Sequence, residues 1–110
     1  MKKDMFVYIK DILTSIDAIE EYIEGLDYCK FEEDFLTQDA VMMRLSIIGE
    51  STAKLTLEFR RSHTDIPWKS MKAVRNLIVH EYSSINLKKI WEIISKDLPT
   101  TKKQILQIIP

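Results

Sequence analysis

The sequence predicts an all-α domain, an up-and-down bundle of four to five helices. Three observations carry that expectation. Apolar residues recur at steps of three and four over long stretches, no stretch alternates as a half-buried strand would, and no Asn-Gly or Asp-Gly hairpin turn occurs. Of the 110 residues, 45% are hydrophobic, too many for a disordered chain of this low net charge. Two glycines and three prolines exclude a collagen-like or Gly/Pro-rich chain. The length fits one domain, residues 1–110.

The first helix is written by Met5, Ile9, Ile12, Ile16, Ile19, Ile23 and Leu26, which line one face, with Gly25 as its stop signal. Thr37 is the expected cap of the second helix. Val41, Leu45, Ile48, Leu55 and Phe59 then form a stripe that Met43, Ile47 and Leu57 broaden. A helix apolar on more than one face is either central or shared between core and partner. Residues 60–65 are polar and read as a loop containing an exposed His63. Pro67 and Trp68 open the third helix, because proline is tolerated in a first turn. It runs to about Tyr82, where Ser83-Ser84 breaks it. Leu87, Ile90, Trp91, Ile94 and Leu98 mark a fourth helix ending at Pro99, and residues 100–109 a short fifth with Ile105, Leu106 and Ile109.

The net charge of -1 hides an asymmetry. Residues 1–59 hold six Lys/Arg against thirteen Asp/Glu, and residues 60–110 hold ten against four. A basic half suits a polyanionic partner; it equally suits an acidic half facing a basic one within a fold or dimer. The single Cys29 excludes an internal disulfide and a multi-cysteine zinc site, and reads as a buried or half-buried small apolar residue. A reduced, cytoplasmic setting follows as the expectation. No apolar run has the roughly 18 residues that span a bilayer, and Met1-Lys2-Lys3-Asp4 does not open a leader-like apolar region.

Most catalytic signatures are missing: there is no Gly-rich phosphate loop, no His-Glu-x-x-His, no Gly-x-Ser-x-Gly and no EF-hand loop. His63 and His80 are too far apart to make a local metal motif, so neither metal nor cofactor is expected. The informative stretch runs from Arg75 to Tyr82. On an ideal helix Met71, Val74, Leu77 and Ile78 form an apolar side, and the opposite arc collects Arg75, Asn76, His80 and Tyr82 around Val79. Arginine stays protonated and offers a planar fork to phosphate. Histidine passes protons near neutral pH. Asn76 can orient His80, four residues on. Tyrosine donates a hydrogen bond, stacks on a base or accepts a group. RNA cleavage without metal needs little more, because the 2′-OH is the nucleophile. Such residues on a polar helix face are also commonly solvated or ion-paired. Arg75 and His80 lie about 140° apart on an ideal helix, so either the helix loosens near His80 or two copies combine across a dimer axis. Arg44 and Glu50 read first as ion-pairing residues and second as supporting groups. Trp68 and Trp91 read as core anchors. Lys69, Lys72, Lys88 and Lys89 could steer RNA, although a charge run is more often a solvated face.

Arg75-x4-His80-x-Tyr82 resembles the signature of the HepT-like branch of the HEPN superfamily. Flanking stretches match in order: Thr37-Gln38-Asp39-Ala40-Val41, Ile47-Ile48-Gly49-Glu50, Ile66-Pro67-Trp68, Trp91-Glu92 and Lys96-Asp97-Leu98-Pro99. Ser46 and Ser51-Thr52 depart from the alanine- or acid-rich pattern of the second helix. The resemblance implies a homodimeric HEPN-like bundle, a metal-independent ribonuclease, and the toxin of a toxin–antitoxin pair with its motif at the dimer interface. It makes Arg75 and His80 the catalytic pair, Asn76 a supporting residue and Tyr82 the acceptor of AMP. The implied antitoxin is a small MntA-like nucleotidyltransferase that transfers AMP from ATP. AMP on Tyr82 would set a bulky anion beside Arg75 and block the phosphate site. The alternative is a non-catalytic helical dimer that docks onto a nucleotidyltransferase and assists nucleotide or substrate recognition, with Arg75 and His80 as contacts.

Overall fold

The computed structural model describes residues 4–80 and 86–110, and the side chains of all of these but Leu77, Val79 and His80. Among the described residues every regular element is helical, as expected for a HEPN-like bundle. The order is α1 (Phe6–Ile23), α2 (Tyr28–Glu33), α3 (Phe35–Ala53), α4 (Leu57–Arg61), α5 (Trp68–His80), α6 (Leu87–Glu92), a π-helical turn (Ile93–Asp97) and α7 (Leu98–Ile108). Four columns result, because α6, the π turn and α7 follow one another without a gap. α3 is the central column, packed against both α1 and α5, and α7 closes onto α1.

The predicted stripes make the core. Ile12, Ile16 and Ile19 of α1 meet Val41, Leu45 and Ile48 of α3, and Ile90, Ile94 and Ile105 complete it from the last column. Each such side chain contributes roughly 1.5–3 kcal/mol on burial. Trp68 is buried, and Trp91 is half-buried with its ring 5.2 Å from that of Phe31. Gly25 follows α1 with φ 77°, the left-handed conformation that favours glycine after a helix.

Several boundaries differ from the sequence expectation. Asp34, not Thr37, caps α3: its Oδ1 accepts from the Thr37 backbone N–H at 3.0 Å and its Oδ2 from the Thr37 hydroxyl at 2.6 Å. These two bonds, the hydroxyl's foremost, hold the Asp34 carboxyl below its usual range. The second helix does not run on to Phe59. It stops at Ala53, and α4 starts afresh with Thr56 as its cap, accepting from Phe59 N–H at 3.1 Å. Pro99 does not end the fourth helix. The π turn bonds Leu98 N–H to Ile93 C=O, and Pro99 then occupies the first turn of α7, where a missing N–H costs little. Residues 100–108 therefore extend that column rather than form a separate helix.

Cys29 is exposed, because α2 is a short helix that buries only Phe31. His63 is half-buried rather than exposed. Its ring lies 4.8 Å from that of Phe59 and its carbonyl accepts from Trp68 Nε1 at 2.9 Å. Lys102 of α7 pairs with Asp17 at 2.8 Å and Glu20 at 3.3 Å on α1, and these carboxylates, Asp17 first, raise its pKa. Basic and acidic halves thus meet there within one chain. Tyr82 and the Ser83-Ser84 break lie outside the described residues. Among the described residues no helix is long and apolar enough to cross a membrane.

Candidate active site

The site is built where α5 crosses α3. Met71 and Ile78 are buried on the packed side of α5 and Val74 lies against the core, which fixes the helix's rotation. Gly49 sets its distance from α3. A Cβ added at Gly49 would stand 2.6 Å from Arg75 Cβ, 3.0 Å from its backbone nitrogen and 3.2 Å from its Cα. The missing side chain thus lets the two helices touch at Arg75, as small residues do at close crossings.

The neighbouring residue then meets the arginine's head. Arg75 Nε donates to Glu50 Oε1 at 3.2 Å, with the two side chains 41% and 56% exposed. A pair this exposed contributes about 0–1 kcal/mol to stability. Its consequence is orientation. Guanidinium carries five N–H donors, and with Nε engaged the two Nη groups make no hydrogen bond to any described residue. They form a fork suited to phosphate.

Asn76 is exposed, and it lines a groove of about 1010 Å³ between α5 and the last column, floored by Leu45, Ile48, Met71 and Val74. Arg75 is not among the residues that line that groove; its head meets Glu50 of α3 instead. His80 is the last residue of α5, and its side chain, like all of Tyr82, lies outside the described atoms. Arg44 makes no ion pair among the described residues, whereas Glu50 pairs with Arg75 itself. Among the described residues no three His, Cys, Asp or Glu side chains come together as metal ligands would.

The face beside this pair is apolar and open. Leu36, Met43 and Glu50 recur every seventh residue of α3 and so share one side of it. Leu36 is 82% exposed and Met43 64%. Met43, expected to broaden the stripe that fills the core, instead faces outward with Leu36, on the side of α3 that leads to the Glu50–Arg75 pair. The sequence marked Gly49 only through its likeness to a family stretch and Glu50 as an ion-pairing residue without its partner; the contact with Arg75 comes from the crossing.

The all-helical bundle is that of the HEPN-like domains. Within that class, the model of the family described as ribonuclease HepT-like matches residues 12–108, and the chain belongs to that family. The chain is 41% identical to a protein of Methanocaldococcus jannaschii named "Gamma-glutamylcyclotransferase and putative RNase", over 99% of this chain and 49% of that protein. It thus spans about half the length of that relative. It is 33% identical over 94% of its length to a "Putative RNase" of the same organism, covering 95% of that protein. It is also 33% identical to the "Probable ribonuclease HepT" of Thermococcus cleftensis, over 93% of each chain. No solved structure matches.

Proposed function

We propose that this protein is the ribonuclease toxin of a toxin–antitoxin pair, cutting RNA without a metal ion through Arg75 and His80. The observation that carries this is the Arg75 guanidinium, steadied at Nε by Glu50, with its Nη fork unengaged by any described residue, on the same helix that carries His80. The 2′-oxygen attacks the adjacent phosphorus, and the bond from phosphorus to the 5′-oxygen breaks. His80 moves protons between the entering 2′-OH and the leaving 5′-oxygen. Arg75 stabilises the charge on the pentavalent phosphorus. Asn76 supports the site as a polar neighbour. The outward stripe of Leu36 and Met43 suits a second copy, and a two-fold axis there would pair two Arg75–His80 sets. Incubation of the purified chain with RNA in excess chelator tests this proposal; RNA left intact across salt and pH would favour the non-catalytic docking module.

Glu50 gives a sharper test of the same site. Glu50→Ala is expected to lower kcat about tenfold, as orientation is lost, while Tm moves by no more than a fraction of about 1 kcal/mol warrants. Glu50→Gln should recover most of the rate, since the amide oxygen still accepts from Nε. Equal rates for wild type and Glu50→Ala would remove Glu50 from the account.

Control by the antitoxin follows from Tyr82. Its phenolic oxygen attacks the α-phosphorus of ATP in the nucleotidyltransferase, forming O-AMP-tyrosine and releasing pyrophosphate. Intact-mass analysis after incubation with the partner and ATP is expected to show AMP adducts on the wild type and none on Tyr82→Phe. An unchanged adduct on Tyr82→Phe would move the acceptor elsewhere.

A further inference from the structure

A second feature lies at the N-terminal end of α5. A hollow of about 450 Å³ opens there between α4 and α5, walled by Ile66, Pro67 and Trp68. Four cations line it: Arg60, Arg61, Lys69 and Lys72. Among the described residues no carboxylate does; Asp65, beside it in sequence, lines the other groove. None of the four cations forms an ion pair with a described residue. Arg60 Nε is buried without a hydrogen-bond partner, a donor left wanting an acceptor. Four like charges held together without counter-charge repel one another, and an anion relieves that repulsion.

The hollow leads to the site already described. Lys69, Lys72 and Arg75 are spaced three residues apart on α5, so they form one inclined row that rises about 9 Å along the helix axis while winding about 120° round it. A chain of phosphates laid over the hollow and along that row would arrive at the Arg75 fork. We propose that the hollow between α4 and α5 holds the phosphate backbone of single-stranded RNA and feeds it along Lys69 and Lys72 to Arg75. This rests on the nuclease proposal for its direction. The polyanion surface itself does not need cleavage to be measured.

The test uses the full chain and a labelled single-stranded oligodeoxynucleotide, which lacks the 2′-OH and cannot be cut by this chemistry. Binding is followed against salt for the wild type and for Lys69→Gln/Lys72→Gln, two exposed positions whose loss leaves the core untouched. The slope of log affinity against log salt is expected to fall by about 1.4, near 0.7 for each lost phosphate contact. With cleavable RNA, the same variant should show its loss in KM. An unchanged slope overturns the proposal even if the protein cuts RNA. A normal loss of slope upholds it even if no RNA is cut. Binding to phosphatidylserine vesicles but not to the oligonucleotide would assign the surface to membranes and overturn it. So would a double variant that falls to monomers while keeping its affinity for the oligonucleotide, since the cations would then face a second copy.

Discussion

Arg75→Ala is expected to lower single-turnover RNA cleavage by about two to three orders of magnitude, the usual cost of deleting one donor to developing charge. Stability should barely change. The side chain is half-exposed, its ion pair with Glu50 is a surface pair, and its Cβ contact with α3 survives in alanine. Arg75→Lys keeps the charge and loses the fork and the Nε–H, so it should recover little. His80→Ala should cost about two to four orders of magnitude through lost proton transfer. The checks are rate constants beside thermal unfolding of each variant. Full activity in Arg75→Ala would show that phosphate is handled elsewhere.

Gly49→Ala is expected to have the other large effect, on fold and activity together. A methyl group there meets backbone and Cβ atoms of Arg75 at 2.6 to 3.2 Å, and none of these can swing aside as a side-chain tip would. Overpacking of this kind costs about 1–3 kcal/mol. Replacing glycine inside a helix returns about 1 kcal/mol, so the net loss is up to about 2 kcal/mol. In a domain of this size each kcal/mol lowers Tm by about 4–8 °C. The functional loss should exceed the stability loss, because α5 must retreat at the residue that carries the fork. A misplacement of about 1 Å can cost roughly a hundredfold in rate. Rates are therefore compared well below the variant's Tm, where it is fully folded. An unchanged Tm and rate would mean that the crossing yields freely and that Gly49 does not position Arg75.

These two positions differ in how far the sequence alone could reach them. Arg75 stands in a periodic helix whose apolar side, Met71 to Ile78, is legible from spacing, so its place opposite that side follows at once. The same periodicity made α1 and the central stripe of α3 readable. Gly49 and Glu50 act through contacts with Arg75, far along the chain (25 residues for Glu50), and local spacing contains no term for where two helices cross. Boundaries failed where two residues could do one job. Asp34 and Thr37 are both capping types, and the carboxylate prevailed because it accepts from Thr37 twice. Thr56 sits inside an apolar stripe that looks continuous, yet its hydroxyl restarts the backbone as a cap. Pro99 reads as a stop, and a π turn ahead of it lets the column continue. Cys29 and His63 failed for a related reason: burial depends on which neighbour arrives, and the Phe59 ring packs against His63. The cation-lined hollow joins residues from either side of a loop, so the charge asymmetry indicated its sign and not its place.

Chain-end chemistry of the cut RNA tests the central claim most directly. RNA digested by the purified protein in excess chelator should yield fragments whose masses correspond to 2′,3′-cyclic phosphate and 5′-hydroxyl ends, and a single 2′-deoxy substitution at the cut should abolish cleavage there. Fragments ending in 3′-hydroxyl and 5′-phosphate, or cleavage that persists at the deoxy position, would contradict attack by the 2′-oxygen and with it the roles given to Arg75 and His80.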